Sequence, residues 1–374
     1  MEKKAPIRIL HVLGNTNLGG AESRTMDLYR HIDRQRVQFD FLVHTKQEGH
    51  FDREIRELGG HIYRVPRFRI YNYFSYVKAM KDFFREHSDF RAVQGHMTST
   101  ASVYLPIAKK AGIPITIAHA RSAGVDKGIK GAATRMLRQK LPERTDYMFT
   151  CSRLAGISVF GPKAVEEGKT VFMPNAIDCK KFDYDPVMRS KIREELGISD
   201  HYVIGHVGRF HYAKNHEYLI RVFAELCKRG RREYALLLLG EGEKMEEIRY
   251  LARELQVEDK VYFAGNKSNV YDYYQAMDYF VYPSRYEGLP GTVLEAQTSG
   301  LRCLISDSIC EEVAVTELVH TMGIERQPER WADYIEKTQD YARTSHFKEV
   351  CEAGFDVEAQ AEKMMKFYET GNLT

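Results

Sequence analysis

The sequence predicts an α/β protein with two doubly wound domains, each an open and mostly parallel sheet covered by helices on both faces. Apolar runs of strand length alternate with amphipathic segments of helix length along most of the chain. A Pro/Asn turn at 172–178 interrupts this alternation, and a strongly charged helical segment follows it. The length of 374 residues is about twice that of a typical domain, which also favours two cores.

The first domain is expected to span residues 1–178. Its opening apolar run, Ile7–Leu13, is interpreted as a buried strand rather than a signal peptide, because it is short and leads into Gly-Gly-Ala-Glu instead of a small-residue cleavage site. Further strands are predicted at 39–43, 61–65, 92–94, 115–119 and 147–151, with helices at 20–32, 52–58, 73–87, 100–111 and 130–141.

The second domain is expected to span residues 179–352 and to repeat the same alternation. Strands are predicted at 202–207, 235–239, 261–264, 279–282 and 303–306, with helices at 186–196, 215–229, 244–255, 270–276 and 292–299. The remaining segment, 353–374, contains an amphipathic stretch at 357–368 that comes too late to join the second sheet. We expect it to form a helix that packs back on the N-terminal domain.

Charge is unevenly distributed, although the chain as a whole carries a net charge of only +3. Residues 61–144 contain 16 Lys/Arg against five Asp/Glu, which is compatible with nucleic acid, anionic lipid or a phosphorylated substrate. Scattered, solvated surface charge is the alternative. We do not expect nucleic-acid binding, because the basic residues fall across several elements without a reader motif.

The same region holds an aromatic cluster of Tyr71, Tyr73, Phe74 and Tyr76. These side chains suit stacking on sugar rings, insertion into a lipid surface, or core packing at the start of a helix. A peripheral contact with an anionic membrane through residues 61–144 is therefore one expectation. No apolar run approaches the roughly 20 residues of a spanning helix, and six cysteines without a C-x-x-C pair indicate a reduced, cytoplasmic setting.

Ligands of open α/β sheets bind beyond the carboxyl ends of the strands, so the loops that follow strands are the candidate sites. Gly19, Gly20, Ala21 and Glu22 open the first helix, where free backbone N–H groups favour an anion. A purely structural glycine turn is the alternative. His119 ends a strand of the same domain, where a lone histidine is more often structural than catalytic.

Two cations follow the first strand of the second domain. Arg209 comes directly after it, and Lys214 lies five residues later at the beginning of the next helix. Because cations at a helix N-terminus oppose the helix dipole, this spacing favours an anion bound between them. Ordinary surface salt bridges are the alternative explanation.

The third candidate is a Gly/Pro-rich turn with a glutamate on either side. Pro290 suits the first position of a helix, so Glu287 is expected in the loop and Glu295 within the helix, where they contact different parts of one ligand. An exposed turn and a solvated helix glutamate are the alternative. The residues of this segment predicted to contact the ligand are Glu287, Gly288, Leu289, Pro290, Gly291, Thr292, Val293 and Glu295.

These motifs, in this order, resemble the GT-B glycosyltransferases, and specifically the large retaining family 4 of bacterial polysaccharide and lipid-linked glycan synthesis. The resemblance runs along nearly the whole chain and includes the 174–178 junction and the Leu239-Gly240-Glu241-Gly242 segment. It implies two Rossmann-like domains, an N-terminal one for the acceptor and a C-terminal one for a nucleotide-sugar donor.

The resemblance also implies a role for each matching residue. Arg209 and Lys214 match the pair that holds the donor diphosphate, Thr292 and its neighbours match the backbone cradle for the same phosphates, and Glu295 matches the ribose-binding glutamate. Glu287 and His119 match residues that face the donor sugar, Gly20 matches the loop that closes over the phosphates, and Asn266 lies where the base is often read. Glu287, His119, Arg209 and Lys214 are the expected catalytic residues.

The implied reaction moves a hexose or N-acetylhexosamine, with retention, from a nucleotide-diphosphate sugar to a glycan or polyprenyl-linked acceptor, with a UDP-sugar favoured. No cofactor or metal is expected, since the first domain lacks a D-x-D motif at a strand end. The turn Glu287-Gly288-Leu289-Pro290-Gly291 departs from the usual EGFG-like form, and 315–325 lacks a Gly-rich stretch. A GT-B epimerase or phosphorylase-like enzyme and a non-catalytic nucleotide-sugar-binding protein remain alternatives.

Overall fold

The chain divides into two units, each built on its own parallel sheet. The computed structural model describes residues 5–121 and 128–373. Unit 1 comprises Met1–Ala176 together with Val357–Thr374, and unit 2 comprises Ile177–Asp356. The first segment of unit 1 therefore ends two residues before the expected boundary at 178. Its final segment begins four residues after the expected start at 353.

Unit 1 contains a seven-stranded sheet with the order β3-β2-β1-β4-β5-β6-β7, in which all neighbours are parallel. Its strands are β1 Ile7–Leu13, β2 Val37–Val43, β3 Ile62–Arg64, β4 Ala92–Gly95, β5 Ile115–Ala120, β6 Tyr147–Thr150 and β7 Thr170–Phe172. Every residue of β2, β4 and β5 is buried, as expected for parallel strands covered on both faces.

The helices of unit 1 follow its strands along the chain. They are α1 Gly20–His31, α2 Asp52–Glu57, α3 Tyr73–Glu86, α4 Thr98–Lys110, α5 Gly128–Gln139, α6 Arg153–Phe160 and α7 Pro162–Glu166. The strands and helices expected up to residue 151 are present, with bounds shifted by a few residues. No element was predicted over α6, α7 and β7, which have eight, five and three residues and lie between the last predicted strand of the domain and the Pro/Asn turn.

Unit 2 contains a six-stranded parallel sheet with the order β10-β9-β8-β11-β12-β13. Its strands are β8 Tyr202–Val207, β9 Tyr234–Leu239, β10 Val261–Gly265, β11 Tyr279–Tyr282, β12 Arg302–Ser306 and β13 Val319–Met322. Its helices are α8 Pro186–Leu196, α9 His216–Arg229, α10 Met245–Glu254, α11 Val270–Ala276, α12 Gly291–Thr298, α13 Pro328–Thr338 and α14 Phe347–Val350. The predicted α/β class with two doubly wound sheets is confirmed.

The last helix, α15 Val357–Thr370, belongs to unit 1 and contacts α1, β1 and β2. Its buried face includes Met364, Met365, Phe367 and Tyr368. The ring of Phe367 lies 4.9 Å from that of Tyr147 and 5.5 Å from that of Phe149, both on β6. A segment distant in sequence therefore completes the unit 1 core, as the amphipathic pattern of 357–368 suggested.

Each sheet contains one point at which its strand order reverses direction. In unit 1 this point lies between β1 and β4, and in unit 2 between β8 and β11. Helices following the two strands at such a point pack on opposite faces of the sheet, which leaves a crevice between the loops that precede them. The loops after β1 and β4, and those after β8 and β11, are therefore where a ligand is expected.

Replacing Phe367 by alanine is expected to destabilise unit 1 by about 3–5 kcal/mol, the usual loss when a large buried aromatic side chain leaves a cavity. Urea unfolding followed by circular dichroism measures the change. Lys363→Ala, on the exposed face of the same helix, is the matched control and is expected to change stability by less than about 0.5 kcal/mol. Equal losses in the two variants would contradict the assignment of α15 to the core.

Candidate functional site

Three glycine-containing loops meet at the carboxyl ends of β8, β9 and β10. The backbone N–H of Gly208 donates to Leu239 O at 2.9 Å, and that of Gly240 donates to Gly265 O at 2.9 Å. Gly240 has φ +130°, and a Cβ there would collide with the carbonyl of Gly208. The Leu239-Gly240-Glu241-Gly242 segment thus supports the loop that carries Arg209 and Lys214.

Lys214 and Glu287 are brought together where unit 2 reverses its strand order. Lys214 Nζ donates to Glu287 Oε1 at 2.6 Å and also to the hydroxyl of Tyr282, the last residue of β11. Both charged side chains are largely buried, with relative exposures of 20% and 18%. A Cβ at Gly208 would lie only 3.3 Å from Lys214 Cδ and Cε, so a side chain there would press on the lysine stem. The loops after β8 and β11 are therefore joined by an ion pair.

The surroundings of Lys214 keep it charged. Burial disfavours the ammonium, but the nearby Tyr282 and Glu287 outweigh this effect and raise the pKa of Lys214. Beneath it, burial lowers the pKa of His206 to about 3 and lowers that of His216 well below its usual value, and the Lys214 charge adds to both shifts. Lys214 is thus a fixed cation above two neutral imidazoles.

Arg209 and Asn266 lie in the same group of loops but more openly. The Arg209 side chain is 72% exposed and donates to Glu243 Oε2 at 3.4 Å. Asn266 Nδ2 donates to Glu241 Oε2 at 3.2 Å. Arg209 therefore remains available to a ligand at little desolvation cost, whereas Lys214 is already held in position.

Helix α12 begins at Gly291, so Pro290 directly precedes the helix instead of occupying its first position as predicted. Glu287 nevertheless lies in the loop and Glu295 in the helix, as expected. Glu295 is only 4% exposed and accepts a hydrogen bond of 2.8 Å from the Tyr274 hydroxyl. Gly288, Leu289 and Val293 are buried, while Gly291 and Thr292 at the start of the helix are partly exposed.

His119 lies at the end of β5 in unit 1 and is almost wholly buried, at 1% exposure. Gln94 Nε2 donates to His119 Nδ1 at 2.9 Å, while Gln94 Oε1 accepts from the Tyr368 hydroxyl at 2.5 Å. Burial, together with the charge of Arg121, holds the pKa of His119 well below its usual value. The ring is therefore neutral, with its proton on Nε2.

A second set of hydrogen-bonded side chains lies beside His119, and it was not predicted from the sequence. Arg121 Nε donates to His96 Nδ1 at 3.1 Å, and Arg121 Nη1 donates to Asn175 Oδ1 at 2.7 Å. His96 Nε2 lies 3.1 Å from His11 Nδ1. Since His96 accepts from Arg121 at one nitrogen, the other nitrogen donates to His11. Arg121 directly follows a strand, which was the available signal.

The glycine loop after β1 lies at the reversal point of unit 1. Gly20 is the first residue of α1 and is exposed, and a Cβ there would meet no atom within 4 Å. Burial raises the pKa of Glu22, while its own backbone N–H and Arg121 act in the opposite direction. The loop is open to a ligand at Gly20, as predicted for an anion at a helix start.

Helix α3 and the short turn Ile70–Asn72 before it carry an exposed aromatic and basic surface, called here the surface of α3. Tyr71 and Phe74 are 82% and 86% exposed, whereas Tyr76 is buried and donates to or accepts from His44 Nε2 at 2.8 Å. Only Tyr76 thus follows the core-packing expectation. Between α3 and α4 runs a groove of about 900 Å³ whose lining includes the cations Lys81, Arg85, Lys109, Lys110 and Arg144.

One group of side chains in the described part of the chain has the composition of a metal site. The sulfur atoms of Cys179 and Cys351 and a carboxylate oxygen of Asp356 lie within 4.8 Å of one another. These residues belong to the first and last segments of unit 2, not to the loops that carry Lys214 and Glu287. Among the described helices, none is both long and apolar enough to cross a membrane.

Protonation of buried histidines is expected to destabilise unit 1 in mild acid. Burial, with a smaller contribution from Arg121, lowers the pKa of His11 to about 3, so between pH 7 and 5 the unfolded chain takes up a proton that the folded state excludes. His11 alone should lower stability by about 2 kcal/mol over this range. Urea unfolding at pH 5, 6 and 7 measures the slope. His11→Gln should reduce it, and an unchanged slope would contradict the burial of a neutral ring.

Comparison with known proteins places these sites in a family. The model of the glycosyl transferase 4-like domain matches residues 19–176, and that of the glycosyl transferases group 1 matches residues 188–345. The chain is 33% identical over 369 residues to the glycosyltransferase EpsF of Bacillus subtilis, covering 96% of each chain. It is 23% identical to the capsular polysaccharide biosynthesis glycosyltransferase CapH of Staphylococcus aureus, covering 98% of this chain and all of CapH.

A more local similarity and a solved structure add to this. Over 147 residues, 38% of each chain, the protein is 27% identical to the UDP-Gal:α-D-GlcNAc-diphosphoundecaprenol α-1,3-galactosyltransferase of Escherichia coli. The crystal structure of Anabaena HepE in complex with UDP and glucose superimposes with a TM-score of 0.77 at 16% identity, covering 97% of this chain and all of HepE. At that identity the match supports the fold alone.

The predicted resemblance is thus confirmed by a full-length relative and by two domain models that match the two units separately. The protein belongs to the glycosyl transferases of group 1, the GT4-type enzymes with a GT-B fold.

Proposed function

We propose that the protein is a retaining glycosyltransferase of bacterial surface polysaccharide synthesis. It transfers a hexose or N-acetylhexosamine from a nucleotide-diphosphate sugar, with UDP as the favoured nucleotide, to a glycan or lipid-linked acceptor. The observation that carries the proposal is the buried Lys214–Glu287 pair at the strand-order reversal of unit 2, with Arg209 open beside it. CapH is named for capsular polysaccharide biosynthesis, and the Escherichia coli relative for a diphosphoundecaprenol acceptor.

Lys214 suits the stabilisation of a leaving diphosphate. An ammonium group has three N–H donors, and in the described structure Glu287 and Tyr282 take two of them. The third remains for a phosphate oxygen, and the first two hold the ammonium in place before the donor arrives. Positive charge fixed in this way needs no reorganisation as negative charge develops on the leaving group.

Arg209 supplies the second cation in a different way. Its exposed side chain exchanges a weak contact with Glu243 for a bidentate contact with the diphosphate, which guanidinium geometry favours. The backbone N–H groups at the partly exposed start of α12, near Thr292, offer further donors to the same phosphates. Because these groups neutralise the diphosphate, the proposed mechanism requires no divalent metal ion.

The two glutamates are assigned to the two ends of the donor. Glu287 lies next to the cation and has a second carboxylate oxygen for the sugar hydroxyls. Glu295 is oriented by the hydroxyl of Tyr274 and is assigned to the ribose diol, since a carboxylate accepts two hydroxyl hydrogen bonds well. The acceptor would attack from the face that the nucleotide leaves, with a leaving-phosphate oxygen taking the proton. No residue is required as a dedicated base.

The unit 1 residues support the proposal less directly. Gly20 is exposed at the start of α1, as a loop that closes over phosphates must be. His119 is too deeply buried to reach a sugar unless its neighbours move. The proposal therefore depends on Lys214, Arg209 and Glu287, and the role of His119 beside the donor sugar remains a prediction from the resemblance.

Lys214→Ala or Arg209→Ala is expected to reduce kcat by at least about 10²-fold, as for the loss of one preorganised charge contact. Release of UDP from UDP-sugars in the presence of acceptor measures the rate. Lys244→Ala is the matched control, since this nearby cation pairs with Glu247 at 2.9 Å, and its rate should remain within about twofold of wild type. A wild-type rate for Lys214→Ala or Arg209→Ala would remove the diphosphate assignment.

The same assay separates the alternatives. A transferase releases free UDP rapidly only when an acceptor is present, whereas an epimerase or phosphorylase-like enzyme has no such requirement and a binding protein shows no turnover. A panel of UDP-, GDP- and other nucleotide sugars tested by thermal shift identifies the donor, because a tightly bound ligand stabilises the native state.

We further propose that unit 1 contacts the anionic cytoplasmic face of a membrane through the aromatic and basic surface of α3. Exposed aromatic side chains insert at the interface while neighbouring cations attract anionic headgroups. The exposed Tyr71 and Phe74, near the cation-lined groove between α3 and α4, have this composition.

Replacing Tyr71 and Phe74 together by serine is expected to weaken binding to anionic vesicles about tenfold or more, because two exposed aromatic anchors are lost. Vesicle sedimentation at low and high salt measures the affinity, which should fall with ionic strength. Tyr250→Ser, an exposed tyrosine of unit 2, is the control. Salt-insensitive binding, or no binding by the wild-type protein, would exclude this contact.

A further inference from the structure

Arg121 is a partly exposed arginine that donates only to uncharged groups in the described structure. It donates to His96 Nδ1 and Asn175 Oδ1, so three of its five guanidinium N–H groups have no hydrogen-bond partner in the described structure. His96 cannot balance the charge, because burial and the charge of Arg121 hold its pKa well below the usual value. A desolvated cation without a counter-charge is unfavourable unless an anion joins it.

The other groups around Arg121 do not supply that anion. Burial lowers the pKa of Arg121 to about 10, Cys151 and Tyr368 partly oppose the shift, and Arg24 adds to it. The carboxylate of Glu22 acts on Arg121 only as a weaker, opposing charge, and no ion pair joins the two residues among those described. Arg24 is itself paired with Asp27 at 3.3 Å. The described surroundings therefore leave positive charge in excess.

Arg343 and Arg193 of unit 2 differ from Arg121 in this respect. Arg343 donates to four backbone carbonyls, those of Ser299, Gln275, Met277 and Tyr274. Arg193 donates to carbonyls and to Asp278. Both arginines are structural, since their N–H groups donate to carbonyls and a carboxylate within unit 2. Arg121 instead retains donors and lies at the edge of a sheet where ligands bind.

The position of Arg121 supports a ligand-binding role. It follows β5 directly, and its partner His96 follows β4, which is one of the two strands at the reversal point of unit 1. The other strand of that pair, β1, leads to the exposed Gly20 at the start of α1. An anion bound by Arg121 would thus lie at the carboxyl edge of the sheet, where open α/β folds bind their ligands.

We propose that Arg121, held by His96 and Asn175, is an anion-binding residue of unit 1 that takes a phosphate group of the acceptor. The proposal deepens the proposed function and rests on it, because an acceptor phosphate presupposes a phosphorylated, lipid-linked acceptor. A guanidinium fork with several free donors matches two oxygens of a phosphate. The diphosphate of the donor is assigned to other cations, Arg209 and Lys214 of unit 2.

The test uses the full chain with Arg209→Ala and Lys214→Ala as background, so that the donor cations are absent, and titrates inorganic pyrophosphate by calorimetry. The background protein is expected to bind pyrophosphate, and adding Arg121→Gln should weaken binding about tenfold or more, as for a lost charge-assisted contact. Arg30→Gln is the matched control, because this arginine of unit 1 already pairs with Glu54 and Asp27. Failure of the background to bind, or equal affinities with and without Arg121, overturns the proposal.

A second arm identifies the source of the phosphate. In the otherwise wild-type chain, Arg121→Gln should weaken binding of farnesyl diphosphate, a short isoprenoid diphosphate, and leave the affinity for UDP unchanged. Weaker UDP binding with unchanged farnesyl diphosphate binding would overturn the assignment to the acceptor. Neither arm measures sugar transfer, so a protein that passes both and yet transfers no sugar contradicts the proposed function and not the anion site.

The variant Asn175→Asp provides a second test of the site in case Arg121→Gln fails to fold. It places a carboxylate where the amide oxygen lies 2.7 Å from Arg121 Nη1, so the guanidinium becomes paired within the protein. Pyrophosphate affinity should fall about tenfold or more while the thermal midpoint is retained or raised. An unchanged affinity in this variant counts against the site as directly as an unchanged affinity in Arg121→Gln.

Discussion

The ion pair between Lys214 and Glu287 holds together the two loops that lie at the strand-order reversal of unit 2. It joins the loop after β8 to the loop after β11, and Tyr282 closes the contact from the end of β11. Several nearby features follow from it. The lysine stem passes close to Gly208, and His206 and His216 stay neutral next to the cation. Replacing one partner by an uncharged residue would leave the other partner largely buried without its counter-charge.

The two units hold their cationic side chains in different ways. Unit 2 uses one cation that is fixed by a carboxylate and another that is exposed and adaptable. Unit 1 uses neutral imidazoles and an amide to position an arginine without cancelling its charge. A carboxylate in place of those neutral groups would bind the arginine more tightly and remove it from ligand binding.

Much of this could be predicted from the sequence, because the signals involved are local. Apolar runs located the strands of both sheets except β7 and β13, and glycine, proline and charge patterns located the loops after β1, β8 and β11. The pairing of Lys214 with Glu287 could not be predicted, since 73 residues separate them and only the order of the strands brings them together. Arg121 was missed for a related reason, because its importance lies in the neutrality of its neighbours. The elements β7 and α7, with three and five residues, carry too few residues to establish a period by themselves.

Helix α15 has a consequence for the order in which the chain folds during synthesis. Unit 2 is one continuous stretch and can bury its core once residue 356 has left the ribosome. Unit 1 begins first but lacks Phe367 and Tyr368, which fill its core and hold Gln94, until the final helix emerges. The half of the protein that is made first is therefore the half that is completed last, and its core lacks α15 throughout translation of unit 2.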